Sequence, residues 1–167
     1  MSDFKIGGWL TFRAFDKDGS PLWEEKIAVK NGIPDAALTD ALSVHLGGGT
    51  QKATWYIGLI DNAGFGSLAA TDTSSSHAGW NESTNYNEAS RQTIAFGAAA
   101  AKTIASSSSC TFTITSSTTL KGAFVISNNT KGGATGILFA TGAFASTQTI
   151  GAGQALRVDY SCSAASS

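Results

Sequence analysis

The sequence predicts a mainly β protein: an antiparallel β-sandwich or jelly-roll-like domain with an N-terminal hairpin, one short helix over 35–46 and a long extended arm over 61–92. Three observations predict it. Period-2 alternation recurs, most cleanly where Leu156, Val158, Tyr160 and Cys162 point one way and Arg157, Asp159 and Ser161 the other. Short β-branched and aromatic runs are separated by Gly-containing turns, the pattern of sandwiches and jelly rolls. Only one segment has helical spacing, with Leu38, Leu42 and Leu46 four residues apart.

The elements follow in order. Phe4, Ile6, Leu10 and Phe12 and the segment 22–29 read as two strands of a hairpin, with turn chemistry in Asp16-Lys17-Asp18-Gly19-Ser20. After Asn31-Gly32-Ile33, Pro34 suits the first turn of a helix, and Gly47-Gly48-Gly49 tolerates the positive φ that ends one. The leucine stripe of this helix is expected to lie on a sheet. The run 53–60 (ATWYIGLI) is a strong strand. From Asp61 to about Gln92 the periodicity disappears, although Trp80 and Tyr86 argue for order. This stretch is expected to be an arm that packs on something. Strands return in Cys110, Phe112 and Ile114, in 119–127, in 136–144 and in 156–162, with a turn-rich connection at Asn128–Gly133. Two portions are expected, 1–50 as hairpin plus helix and 51–167 as the sandwich, together forming one unit.

Composition bounds the function. Ala, Ser, Thr and Gly number 26, 21, 19 and 19, whereas Leu, Ile, Val and Phe together make only 34 of 167 residues. Such a core is thin, yet near-zero net charge and 16 aromatic residues argue against disorder. Residues 92–167 carry only Lys102, Lys121, Lys131, Arg157 and Asp159, so their outer face is Thr, Ser and Gly or is covered by something else. Eleven basic against twelve acidic side chains supply no field for nucleic acid. No apolar run approaches the roughly 20 residues of a membrane span, and no basic n-region precedes a hydrophobic run at Met1–Lys5, so no export signal is expected. Without one, Cys110 and Cys162 are expected as reduced core thiols.

Catalytic chemistry finds little support. His45 falls near the helix end, where a histidine complements the dipole. His77 follows three serines but lacks a nucleophile elbow. Glu82 and Glu88 are the two glutamates of the arm, with Arg91 nearby, and an ion pair is favoured over glycosidase chemistry. Asp16, Asp18 and Ser20 open like a calcium loop, but Gly19 is misplaced and Ile27 stands where an acid belongs, so the segment is a turn. No catalytic residue, cofactor or metal is therefore expected. Trp80, Glu82, Tyr86, Glu88 and Arg91 are instead the candidate protein–protein contacts, because Trp, Tyr and Arg dominate interface hot spots. The alternative is that they cover the edge of their own sandwich.

The run Trp55-Tyr56-Ile57-Gly58-Leu59, then Ser76-His77-Ala78-Gly79-Trp80-Asn81-Glu82 and Tyr86-Asn87-Glu88-Ala89-Ser90-Arg91, resembles a tailed-bacteriophage virion family. Lys121-Gly122-Ala123-Phe124, Asn128-Asn129-Thr130-Lys131-Gly132-Gly133 and Thr135-Gly136 extend the resemblance over nearly the whole chain. One departure is Gln92, where the family usually has proline after the arginine. The family resembles capsid cement (decoration) proteins. The resemblance implies a structural protein of the virion's outer capsid surface, assembled in the host cytoplasm. Its implied partners are the major capsid protein and further copies of itself, a trimer being favoured. A tail-fibre or baseplate component is the first alternative, and a carbohydrate-binding sandwich using Trp80 with Glu82 or Glu88 the second.

Overall fold

The computed structural model describes residues 4–29 and 32–166; the Met1–Asp3 start and Asn31 of the predicted turn lie outside the described residues. In chain order the elements are β1 (Phe4–Phe15), β2 (Pro21–Ala28), α1 (Asp35–Leu46), β3 (Tyr56–Asp61), β4 (Glu82–Ser83), β5 (Gln92–Thr93), β6 (Thr103–Ala105), β7 (Cys110–Thr113), β8 (Thr118–Ile126), β9 (Leu138–Ile150) and β10 (Ala155–Ser166). They build two antiparallel sheets packed as a sandwich. The first runs β2-β1-β10, with β6 and β7 sharing the far edge of β10. The second runs β9-β8-β3, with β4 and β5 sharing the far edge of β3.

The alternation read from the sequence sets the core. On β1, Leu10, Phe12 and Ala14 turn inward and are fully buried, and on β10 Leu156, Val158 and Tyr160 do the same. They meet Ile57 and Leu59 of β3, Val125 of β8 and Phe144 of β9 in one apolar cluster. Phe12 and Phe144 bring their ring centroids to 4.5 Å, tilted by 58°. The long β1–β10 pairing joins residues near both chain ends, so the 1–50 portion supplies two strands of the first sheet. The hairpin turn closes as an Asx turn: the Asp16 carboxylate accepts from the Asp18 and Ser20 amides, and Gly19 takes φ +85°.

The helix spans the predicted residues, with Pro34 at its N-cap and Gly48 at φ +70° beyond its end. Its expected orientation is wrong. The helix carries two stripes one residue apart, Ala37 and Ala41 beside Leu38 and Leu42, and the alanine stripe is the one that faces β9. Ala37 is buried and Ala41 half-buried, and the leucines one residue further on turn away from that face. Leu42 and Leu46 are therefore 59% and 83% exposed.

Both thiols are free. Cys110 lies across from Val158, and Cys162 stands four residues further along β10. That offset is roughly 13 Å at the rise of an extended strand, beyond the reach of a disulfide. Burial, with Asp159 adding to it, pushes the Cys110 thiol up to about 12. The neutral form is then held in the folded chain while the unfolded chain ionises near pH 9, so folding stability is complete below that pH and falls as pH climbs from about 9 to 12. Chemical denaturation across that window is expected to lose about 1.4 kcal/mol per pH unit for this group, and Cys110→Ala is expected to make the pH dependence shallower.

Candidate functional site

The segment 61–92 does not project from the molecule. Its first part lies over the outer face of the second sheet, where Ile60, Phe124, Ile126 and Leu138 form a second apolar cluster with Trp80. Gly58 makes room for this layer, since a Cβ there would stand 2.3 Å from the Phe124 ring. Trp80 is 2% exposed, with its ring 5.1 Å from that of Phe124, and its indole N–H donates to the Asp72 carboxylate at 3.0 Å. His77 stacks on the other side of Trp80 at 4.0 Å, with Nδ1 2.9 Å from the Trp80 carbonyl oxygen. The sequence missed β4 and β5, which are two residues each and too short to show a period.

The second part of the segment closes the side of the sandwich. Tyr86 bridges to Ile114, its ring meets Phe112 edge-on at 5.0 Å, and the Asn87 amide donates to the Thr113 carbonyl. The chain thus leaves the edge of β3, touches the β7 side of the other sheet and returns. Edge strands carry unpaired backbone groups that invite association, and this crossing occupies them. Burial pushes the Tyr86 hydroxyl well above its ordinary range, and its oxygen has no hydrogen-bond partner.

A buried ion pair fastens the segment. Arg91 is 3% exposed and grips Glu82 with both arms, Nε to Oε1 at 3.0 Å and Nη2 to Oε2 at 2.7 Å. Its remaining donors reach the Asn128 and Gly133 carbonyls at 3.0 and 2.7 Å, while the Gly132 amide donates to Glu82. Such a bidentate fork needs arginine geometry. Lys131 adds a second tie, donating to the carbonyls of Tyr86 and Glu88. Glu88 faces elsewhere, accepting from the Thr113 amide. Gln92 opens β5 opposite Ile57, and its side-chain amide donates to the Ser90 carbonyl.

The five candidate contacts are thereby placed, and the placement corrects the picture of an interface arm. Trp80, Tyr86 and Arg91 are buried within their own chain, Glu82 is committed to Arg91, and Glu88 is half-buried against β7. The reason is physical: the second sheet is apolar on both faces, Trp80 and the Arg91–Glu82 pair cover its outer one, and Tyr86 and Glu88 close the side of the sandwich against β7. Glu82 and Glu88 serve different partners and do not face each other across a cleft. Among the described residues no group of three His, Cys, Asp or Glu stands close enough to hold a metal, and no helix is long and apolar enough to cross a membrane.

The surfaces left bare lie elsewhere. Among the described residues no layer covers the outer face of the first sheet: Trp9 and Leu22 are 42% and 47% exposed there. Charged side chains lie along it, with Lys26 over the Trp9 ring at 4.9 Å, Arg13 between Glu24 and Asp159, and Arg157 over Phe15 at 4.3 Å. At the end of the sandwich, α1 stands apart from β6 and β10, leaving a groove of about 840 Å³ whose walls include Leu38, Leu42, Ile104, Phe139 and Cys162. A smaller cavity of about 300 Å³ continues beneath α1 toward Tyr160. The leucine spacing was visible in the sequence; which face it occupies was not. No protein-family model matches the chain, and no curated protein matches its sequence.

Proposed function

We propose that the chain is a phage virion structural protein, a capsid cement or decoration protein that binds the outer surface of the major capsid shell and stabilises it. The observation that carries the reading is the one-sided covering of the sandwich. One sheet is sealed by the chain's own 61–92 layer, while the other presents Trp9 and Leu22 among alternating charges. An exposed tryptophan flanked by cations and carboxylates has the makings of an interface centre with a polar rim. The segments that resemble the virion family support the same reading. No chemistry is required of such a protein: it acts by burying surface at many equivalent contacts, and once one copy of an oligomer is engaged the next contact is intramolecular.

The purified protein is expected to bind expanded, emptied heads and raise their melting temperature in calorimetry. Trp9→Glu, at a half-exposed site outside the core, is expected to abolish that shift while leaving the protein's own unfolding midpoint within about 2 °C, the range of a surface change of ±0.5 kcal/mol. Binding to tails with none to heads would favour a tail-fibre or baseplate component and sink the proposal. Binding to a glycan array through Trp9 or Trp80, with none to heads, would do the same in favour of a carbohydrate-binding sandwich.

A further inference from the structure

The end of the sandwich at α1 carries an unusual pair of features on one patch. Leu42 and Leu46 stand exposed on α1, and together with Leu38 they line one wall of an apolar groove of about 840 Å³. A twofold axis through such a face lets the exposed leucines of one copy cover those of the other, which is what an isologous contact between two identical chains requires. Leu38, Leu42 and Leu46 are also palindromic in spacing. In an antiparallel arrangement centred on Leu42, Leu42 meets its own counterpart while Leu38 of each chain meets Leu46 of the other.

Charge selects that direction. The helix begins at the exposed acid Asp35, whereas its last turn has the exposed base His45, and Lys102 lines the groove that the leucines share. An antiparallel pair puts the acidic end of each helix beside the basic end of its partner, twice, and sets the two helix dipoles in opposition. A parallel pairing stacks acid on acid. Asp40, the other acid of the helix, is already tied to Lys52 at 2.9 Å. The wall that carries Lys102 is fixed in a tight hairpin, where Ala101 and Lys102 both adopt positive φ, at 49° and 64°. Two non-glycine residues in that region form a strained turn that the surrounding structure must hold in place.

We propose that α1 and its groove are a self-association face, on which a second copy of this chain docks antiparallel about a twofold axis at Leu42. The face is small: a helix of this length spans about 18 Å, so each copy contributes only a few hundred Å², below the ~800 Å² of a standard specific interface. The pairing is therefore weak in free solution, with a dissociation constant in the micromolar range or above. It is distinct from any threefold contact. In isolation it yields a dimer, and added to a trimer it yields a dimer of trimers.

Sedimentation of the isolated chain at increasing concentration tests it. Reversible doubling of mass is expected for the wild type, with at least a tenfold loss of association in Leu42→Glu, a substitution at a site already 59% exposed. Disulfide trapping in a Cys162→Ser background fixes the geometry. Leu42→Cys is expected to cross-link with itself, and Leu38→Cys to cross-link with Leu46→Cys when the two chains are mixed. Wild type and Leu42→Glu sedimenting alike, or Leu38→Cys cross-linking with itself as fast as with Leu46→Cys, would overturn the proposal. Shell binding is read separately: dimers that ignore heads would leave this pairing standing and remove only the cement reading, and monomers that bind heads would do the reverse.

Discussion

Arg91→Ala is expected to lower the unfolding free energy by about 3–5 kcal/mol, the cost of leaving a buried carboxylate without its counter-charge. Glu82 would keep its place beside Arg91's former site with only the Gly132 amide to neutralise it, and the Asn128 and Gly133 carbonyls would lose their donors. At about 2–4 °C per kcal/mol for a domain of this size, the melting point falls by roughly 10 °C. Arg91→Lys is expected to recover little, since an ammonium cannot make the two-armed contact with Glu82 or reach both carbonyls. The double variant Arg91→Met with Glu82→Leu is expected to be milder than Arg91→Ala alone, because it removes the stranded charge along with its partner. Thermal denaturation of the four proteins checks this, and equal midpoints for wild type and Arg91→Ala would mean that the pair does not hold the segment.

Trp80→Ala is expected to cost a comparable amount, about 3–5 kcal/mol, through the cavity left against Phe124 and Leu138. It also removes one of the two N–H donors to the buried Asp72 carboxylate, leaving the Ala69 amide, and it takes away the surface on which His77 stacks. Trp80→Phe separates these effects. It keeps most of the apolar contact and loses the donor, so about 1–3 kcal/mol is expected. Denaturant melts give the free energies. Limited proteolysis adds a local reading, because a loosened 61–81 layer should be cut before the sandwich in Trp80→Ala and not in the wild type.

These two substitutions bear on what was legible in the sequence. The longer strands were, because alternation such as Leu156-Arg157-Val158-Asp159-Tyr160 assigns one face to the core without knowledge of the partner strand, whereas the two- and three-residue strands β4, β5 and β6 show no period. The helix limits were legible for the same local reason, with Pro34 and the Gly47–Gly49 run marking its ends. Orientation was not. Ala37/Ala41 and Leu38/Leu42 are equally good stripes at helical spacing, and only the closeness of β9 decides between them. The role of the 61–92 segment was hidden for a related reason. Its Trp, Tyr and Arg have the composition of an interface, and burying them within one chain or between two chains uses the same physics. What separates the cases is the second sheet, whose outer face holds Ile60, Phe124, Ile126 and Leu138. Those residues alternate with inward-facing apolar ones, as in Leu59-Ile60 and Ala123-Phe124-Val125-Ile126, so a sheet buried on both faces shows no polar alternation. The bare surfaces at Trp9 and α1 had no distinguishing sequence signal beyond a tryptophan in a strand and leucines in a helix.

The most direct test of the cement reading is electron microscopy of labelled protein incubated with whole virions, stripped of this protein, of the tailed phage that on this proposal would carry it. The account predicts label spread over the expanded head at a density of hundreds of copies, lost with Trp9→Glu. Label confined to the tail, or a bare head beside a folded protein in solution, would contradict it.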